Sequence, residues 1–392
     1  MNNKIKNIVT TFVFVGVIAF FAVLCCMRVV DPVERLDVER RDAAQLPSDF
    51  TWQQFLDNKP YLDSNGDEQQ SPIKQFESFA VEQFPFRQFF RNVKVFFAMD
   101  VLNVRENNGY VMENGSVATV TPEYSKDELK RLQYQVSVLT QLYDRYIAQN
   151  GGKHYLTIVP DKNYYLGRDY GYIAPDYVAL VNQMTTALPN MNYVDLFDSL
   201  TLDDYYKTDW HWDQSKLDGV MATLGNAMGF GECLSGEYDT NVLEGFAGGY
   251  YGSLNDATEN LTYLTNDVLK DCVLISYDNM GKEIRTELYF PDVFHNTENY
   301  ANKVDYDFFM NGRCGIQRIE NPNATTDKEL IVFRDSYGAS ILPLMAEGYK
   351  TIYSIDLRDT MWRMLGTTIN FEGKDVLFMF STTVLTGDEA FK

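Results

Sequence analysis

Three side chains in this sequence can be assembled into a hydroxyl nucleophile with its own base. Asp209 and His211 lie in YYKTDWHWDQ, residues 205–214, and Ser336 lies in VFRDSYGAS, residues 332–340. In an irregular loop, a carboxylate two residues before an imidazole can hydrogen-bond one ring nitrogen and hold its tautomer. The other nitrogen is then left to take a proton from a serine. The chain has only three histidines, His154, His211 and His295. His154 opens a strand-like run with no carboxylate beside it, and Asp292 with His295 forms the runner-up pair. Trp210 and Trp212 flank His211 and can supply either a dry, rigid setting or a stacking face for a sugar. No His or Cys cluster has metal-ligand spacing, so no metal or other cofactor is expected.

These residues need a scaffold that brings two distant segments together. An apolar run, LIVF at 330–333, ends just before Asp335-Ser336, and Gly338 opens a helical stretch. A serine there sits outside the carboxyl end of a strand, where open α/β sheets bind ligands. Backbone N–H groups and a helix N-terminus behind it would favour an oxyanion. The plainer reading of Asp335 or Ser336 is a helix cap. Ser125 with Glu128 makes a capping box that starts a helix ending by Gly151-Gly152. A strand is expected at 154–160, a helix near 176–188, a short strand around 193–196 and a helix over roughly 214–228. Towards the C-terminus the pattern is strand, helix, strand, strand: 330–333, 338–347, 351–355 and 375–380. Buried apolar strands alternating with helices predict an α/β fold with a parallel sheet covered on both faces. Residues 230–325 are richer in Gly, Asn and Thr, with strand-like pieces at 272–277 and 284–290, and read as a β-rich antiparallel insert.

The N-terminus carries a different signal. From Ile8 to Val30 the chain is apolar except for Arg28, with Lys4 and Lys6 before it and acidic residues from Asp31 onward. About 20 such residues cross a bilayer. The lysines place residues 1–7 in the cytoplasm, 8–30 in the membrane as an uncleaved signal anchor, and the remainder outside. Residues 31–72, broken by prolines, read as a stalk or lead-in, and 73–392 as the catalytic domain. The aromatic stretch FESFAVEQFPFRQFFRNVKVFFAM, residues 76–99, has helical spacing and is read as a helix packing on that domain. The formal net charge is −21. This argues against a nucleic-acid partner and leans the substrate towards a neutral or weakly charged one. Outside the anchor remain Cys233, Cys272 and Cys314, enough for at most one disulfide and no disulfide scaffold.

Taken in order along the chain, D-x-H-W followed by D-S-Y resembles the SGNH-like alginate O-acetyltransferase group and, more closely, the bacterial DHHW family. FAVEQFPFR (79–87), IVPDK (158–162), GGYYGSL (248–254), YDFFMNG (306–312), IENPNA (319–324) and IDLR (355–358) extend the likeness over roughly residues 73 to 385. The resemblance implies an SGNH-hydrolase-like sheet with circularly permuted motif order and a Ser336/His211/Asp209 triad. By the same analogy, Gly312 and the Ser336 or Tyr337 backbone N–H are oxyanion donors, and Lys162 and Arg358 are cleft residues. The sequence departs from the family in two places: Trp210 stands where the name motif has His, and Arg313 stands where an amide often follows Gly312. The implied function is an extracytoplasmic O-acetyltransferase acting on a cell-envelope or exopolysaccharide glycan through an acetyl-serine. No acetyl-CoA is available outside the membrane, so a membrane-bound acyltransferase is the expected acetyl source. A carbohydrate acetyl-esterase with the same triad and a non-catalytic glycan-binding or assembly factor are the alternatives.

Overall fold

Strand and helix assignments follow from where apolar residues fall. In the computed structural model, which describes residues 3–36, 41–46, 51–104, 106–107, 109–254, 257–277, 282–289 and 306–392, the chain divides into two units, Met1–Val104 and Arg105–Lys392. The runner-up pair Asp292 and His295 lies outside the described residues.

The first unit opens with a helix, Asn3–Val30, long and apolar enough to cross a membrane by length and composition. Among the described residues three shorter α-helices follow, Trp52–Asp57, Pro72–Glu82 and Arg87–Phe96, the last running into a π-helical turn, Phe97–Val101. The first of them is capped by the Thr51/Gln54 box.

The second unit is built on an eight-stranded sheet. We label its strands β1 (His154–Val159), β2 (Asn192–Val194), β3 (Val273–Tyr277), β4 (Glu283–Thr286), β5 (Ile316–Glu320), β6 (Glu329–Arg334), β7 (Thr351–Ile355) and β8 (Asp375–Ser381). Their spatial order is β4-β3-β5-β7-β6-β8-β1-β2. The five strands from β7 to β2 are parallel, and β5, β3 and β4 add antiparallel to the β7 edge. Side-chain alternation feeds two cores. Leu330, Val332, Leu377 and Met379 face one of them, while Ile331, Phe333, Val376 and Phe378 face the other. Burial on both faces is why β6 and β8 read as nearly unbroken apolar runs.

The helices beside this sheet are α1 (Lys126–Leu142), α2 (Lys162–Tyr170), α3 (Tyr177–Ala187), α4 (Asp218–Met228), α5 (Gly338–Met345) and α6 (Thr382–Thr386). Of these, α1, α3, α4 and α5 fall where helices are expected, with small shifts of boundary. The α1 capping box forms as read, with Ser125 and Glu128 bonded reciprocally. The segment 230–325 has two fates. Its hairpin, Asp239–Phe246 with Glu259–Thr265, is a separate ladder, whereas β3, β4 and β5 join the central sheet. A three-stranded sheet over Glu106–Asn107, Tyr110–Glu113 and Ser116–Thr119, strand β5, and helices α2 and α6 were not anticipated. All five cysteines are free.

Candidate active site

The β6–α5 junction places Ser336. Asp335 makes the turn: its Oδ1 accepts the Tyr337 N–H at 3.0 Å and its Oδ2 accepts the Ser381 N–H at the end of β8 at 2.7 Å. The capping alternative therefore divides, because Asp335 holds the backbone and Ser336 is left free to point elsewhere. Gly338 is required here, since a Cβ would fall 2.8 Å from the buried Arg334 side chain.

The second segment arrives as a tight loop. Tyr205 and Trp212 form an antiparallel bridge, and the Tyr206 N–H donates to the His211 carbonyl at 3.1 Å, so residues 207–210 form the tip. Three neighbours hold that tip. Glu259 accepts from the Lys207 and Thr208 N–H groups and the Thr208 hydroxyl. The Tyr250 N–H donates to the Thr208 carbonyl at 2.8 Å, and the Gly249 N–H donates to Asp209 Oδ2 at 2.6 Å. A Cβ at Gly248 would lie 2.3 Å from the Thr208 carbonyl oxygen, and one at Gly249 would lie 1.8 Å from the Trp210 ring. Both glycines are thus set by close approach.

The two segments meet. His211 Nδ1 lies 2.6 Å from Asp209 Oδ1, and His211 Nε2 lies 2.7 Å from Ser336 Oγ. Asp209 and His211 are buried. The Trp210 indole N–H donates to His211 Nε2 at 3.1 Å. An indole nitrogen can only donate, so Nε2 is an acceptor and the ring proton resides on Nδ1, facing the carboxylate. Burial pushes the Asp209 carboxyl up, but the facing imidazole, the two His211 N–H groups and the Gly249 N–H outweigh it and hold the carboxyl below its usual range.

A second aromatic layer fixes the ring. Tyr306 stacks flat on His211 at 3.7 Å between centroids and 3° between planes, and its hydroxyl donates to Ser340 Oγ at 2.7 Å. The Trp212 N–H reaches the same hydroxyl at 2.9 Å, and the Tyr337 hydroxyl donates to the Trp210 carbonyl at 2.7 Å. Trp212 is fully buried, so of its two readings only the rigid setting has room. Trp210, 40% exposed, keeps a face for a ligand.

The remaining expected residues are dispersed. The Gly312 N–H donates to the Phe309 carbonyl at 3.1 Å, and the Tyr337 N–H is taken by Asp335. The Ser336 N–H has no partner among the described residues. Arg313 pairs with Asp359 and Glu389, and Arg358 forks onto Asp356 at 2.9 and 2.6 Å. Neither arginine bonds Ser336, His211 or Asp209. Lys162, buried at the start of α2, donates to the carbonyls of Val117 at 2.8 Å and Tyr206 at 2.5 Å. Burial pulls its pKa down to about 7, against the opposing pull of Asp209 and Glu259. Beside Trp210 opens a cleft of about 210 Å³ lined by Asp161, Asn163, Tyr177, Trp210, Tyr250 and Thr383, among others. Residue types alone could not single out Gly249, Glu259 and Tyr306. The first and third fall inside the 248–254 and 306–312 motifs, while Glu259 left no signal.

No family model and no curated protein matches the chain. Solved structures do. The chain is similar to a DHHW family protein from Eubacterium siraeum, with a TM-score of 0.55 and 21% identity over 72% of this chain and 94% of that one. It is also similar to Bacillus cereus PatB1, with a TM-score of 0.52 and 20% identity over 73% of this chain and 100% of that one. A second PatB1 structure carries a sulfonyl adduct. The O-acetyltransferase domain of Pseudomonas putida AlgJ aligns at a TM-score of 0.42 and 14% identity, over 72% and 93% of the two chains. At 20–21% identity, what the chain shares with the first two is the fold. The likeness to the DHHW family carried by the sequence motifs is thus matched by a DHHW family protein among the chain's structural neighbours.

Proposed function

We propose that this chain is a membrane-anchored, outward-facing serine acyltransferase that transfers acetyl groups to a cell-envelope or exopolysaccharide glycan. The observation that carries the reading is the continuous Asp209–His211–Ser336 hydrogen-bond relay, with distances of 2.6 and 2.7 Å. Ser336 Oγ attacks the acetyl carbonyl while its proton passes to His211 Nε2, and the Asp209 carboxylate steadies the imidazolium. The oxyanion gathers at the Ser336 N–H and the start of α5. Collapse breaks the donor's acyl bond, the leaving group takes the proton from His211, and acetyl-Ser336 remains. A sugar hydroxyl then attacks this ester and gives its proton to His211; as the acetyl–Ser336 bond breaks, Oγ takes that proton back and the acetylated sugar departs.

The cleft beside Trp210 supports a sugar as acceptor. Hydroxyl, amide and carboxylate groups alternate there with aromatic rings, and its volume, that of roughly seven waters, suits one sugar ring. The helix Asn3–Val30 supplies the anchor, and a membrane-bound acyltransferase is the acetyl source, because the site faces away from cytosolic thioesters.

PatB1 has been captured with a sulfonyl adduct, so a sulfonyl fluoride is the probe of choice. Incubated with the full chain, it should lose fluoride, add its sulfonyl group to the peptide containing Ser336 and abolish hydrolysis of a chromogenic acetyl ester. Ser336→Ala should lose both. Equal ester turnover in Ser336→Ala and the parent chain would remove the enzymatic reading. With turnover established, oligosaccharide acceptors weighed after reaction separate transfer from hydrolysis, since an acetyl-esterase yields only acetate.

A further inference from the structure

The first unit carries a surface that the reaction does not use. In the helix Arg87–Phe96, Phe89, Phe90, Val93 and Phe96, with Phe97 just beyond, fall within an arc of roughly 120° at 100° per residue, while Arg87, Gln88, Arg91, Asn92 and Lys94 occupy the opposite side. None of the helix's residues is buried. Phe89 is 63% exposed, Phe90 42%, and Phe96 and Phe97 53% each. Four large rings on one open face are more than a soluble surface ordinarily leaves uncovered.

What covers them follows from how the helix is attached. Gln83, at the end of the preceding helix, exchanges two hydrogen bonds with Val33, three residues past the N-terminal helix: Val33 N–H to Oε1 at 2.7 Å and Nε2 to the Val33 carbonyl at 2.7 Å. The Ala44 N–H is held by Glu82. These bonds fix the turn at 84–86 beside the outer end of the N-terminal helix. Phe84 stacks on Phe21 at 5.6 Å, and the Phe90 ring lies 5.8 Å from Phe21. Phe21 precedes Arg28 by seven residues, which places it about 10 Å below that charge at 1.5 Å rise per residue. The uncharged run from Ile8 to Met27 matches the ~30 Å hydrocarbon thickness. If that run spans the bilayer, the rings touching Phe21 are already at acyl-chain depth.

We propose that the helix Arg87–Phe96, together with the Phe84–Phe86 turn and Phe97, lies in the outer leaflet at the boundary between headgroups and acyl chains, as a second membrane contact. The inference rests on reading Asn3–Val30 as a membrane span. The aromatic face points into the acyl region, while the Arg and Lys side chains on the other face reach headgroup level. Two points of attachment, a span and a surface helix, would limit rotation of the chain about its anchor. A single span alone would leave that rotation open.

The test uses the full chain in lipid nanodiscs containing bilayer lipids brominated either near the headgroup end or near the methyl end of the acyl chain. Phe96→Trp and Phe89→Trp are each read as fluorescence quenching beyond that of the parent chain, and Ile18→Trp reports the middle of the span. The expected result is quenching of both phenylalanine-site reporters, stronger from bromines near the headgroup end, and quenching of the Ile18 reporter stronger from those near the methyl end. Unquenched reporters at 89 and 96 beside a quenched one at 18 would overturn the inference, whether a second copy or the rest of the chain covers that face. An unquenched reporter at 18 would overturn the membrane span itself, and the inference with it.

Discussion

At the scale of single residues, the site is governed by which atoms can only donate and which can only accept. Asp209 receives the His211 backbone N–H at 2.8 Å and the ring Nδ1–H at one oxygen, and the Gly249 N–H at the other. All three partners are donors, so only a carboxylate satisfies the set. An amide must turn its NH₂ either towards His211 or towards Gly249, and both choices set donor against donor. Asp209→Asn should therefore lower ester turnover by about 10²–10⁴-fold and cost about 1–3 kcal/mol of stability, the second measured by urea unfolding. Trp210 adds a feature absent from a simple triad. Its N–H on Nε2 favours the productive tautomer independently of Asp209. Adding Trp210→Phe to Asp209→Asn should hence lower turnover further. Equal turnover in the single and double variants would show that the indole takes no part in setting the tautomer.

At the scale of elements, β6 with α5 delivers Ser336, and the 205–212 loop delivers Asp209 and His211. The first delivery was legible in the sequence because buried parallel strands leave unbroken apolar runs, and Asp335-Ser336 sits where β6 runs out. The 205–212 loop was legible only as a spacing, since its shape comes from residues remote in sequence: Val117, Lys162, Gly248, Gly249 and Glu259. Local periodicity carries no record of such contacts. For the same reason β3 and β4 could be read as strands, while β5 and the joining of all three to the main sheet could not. Helix α2 contributes the Lys162 strut. Burial lowers the Lys162 pKa from 10.5 to about 7, so between those values the unfolded chain keeps a proton that the folded chain has released. Stability gained from this residue therefore rises with pH from about 7 to about 10.5 and is lowest below that window, with a slope of up to about 1.4 kcal/mol per pH unit. In Lys162→Met, which cannot titrate, the gain in unfolding free energy between pH 7 and pH 9, measured with urea, should be smaller by about 2 kcal/mol. An unchanged gain would mean that the lysine stays protonated between its two carbonyls.

At the scale of the whole molecule, charge decides which polymers can approach. The chain carries 55 acidic and 34 basic residues, for a formal net charge of −21, and an anionic glycan could be tolerated only through a basic patch at the cleft. None is built there. The cleft lining contains Glu128, Asp161 and Asp388 against Arg131 and Lys162. Arg131 is already paired with Asp388 at 3.1 Å, and Lys162 is buried under two carbonyls. Both the long-range field and the local one therefore repel a polyanion, and the repulsion is screened over about 8 Å at physiological salt and 30 Å at 0.01 M. If a glycan is the acceptor, turnover with neutral oligosaccharides should be nearly flat between low and physiological ionic strength. Turnover with a uronate-rich oligosaccharide of equal length should start lower and climb as salt is added, through its KM and not its kcat. The sign of that salt dependence is the informative quantity. A uronate acceptor whose KM worsens with salt would mean that attraction, and hence a cationic surface outside the cleft, guides the polymer to Ser336.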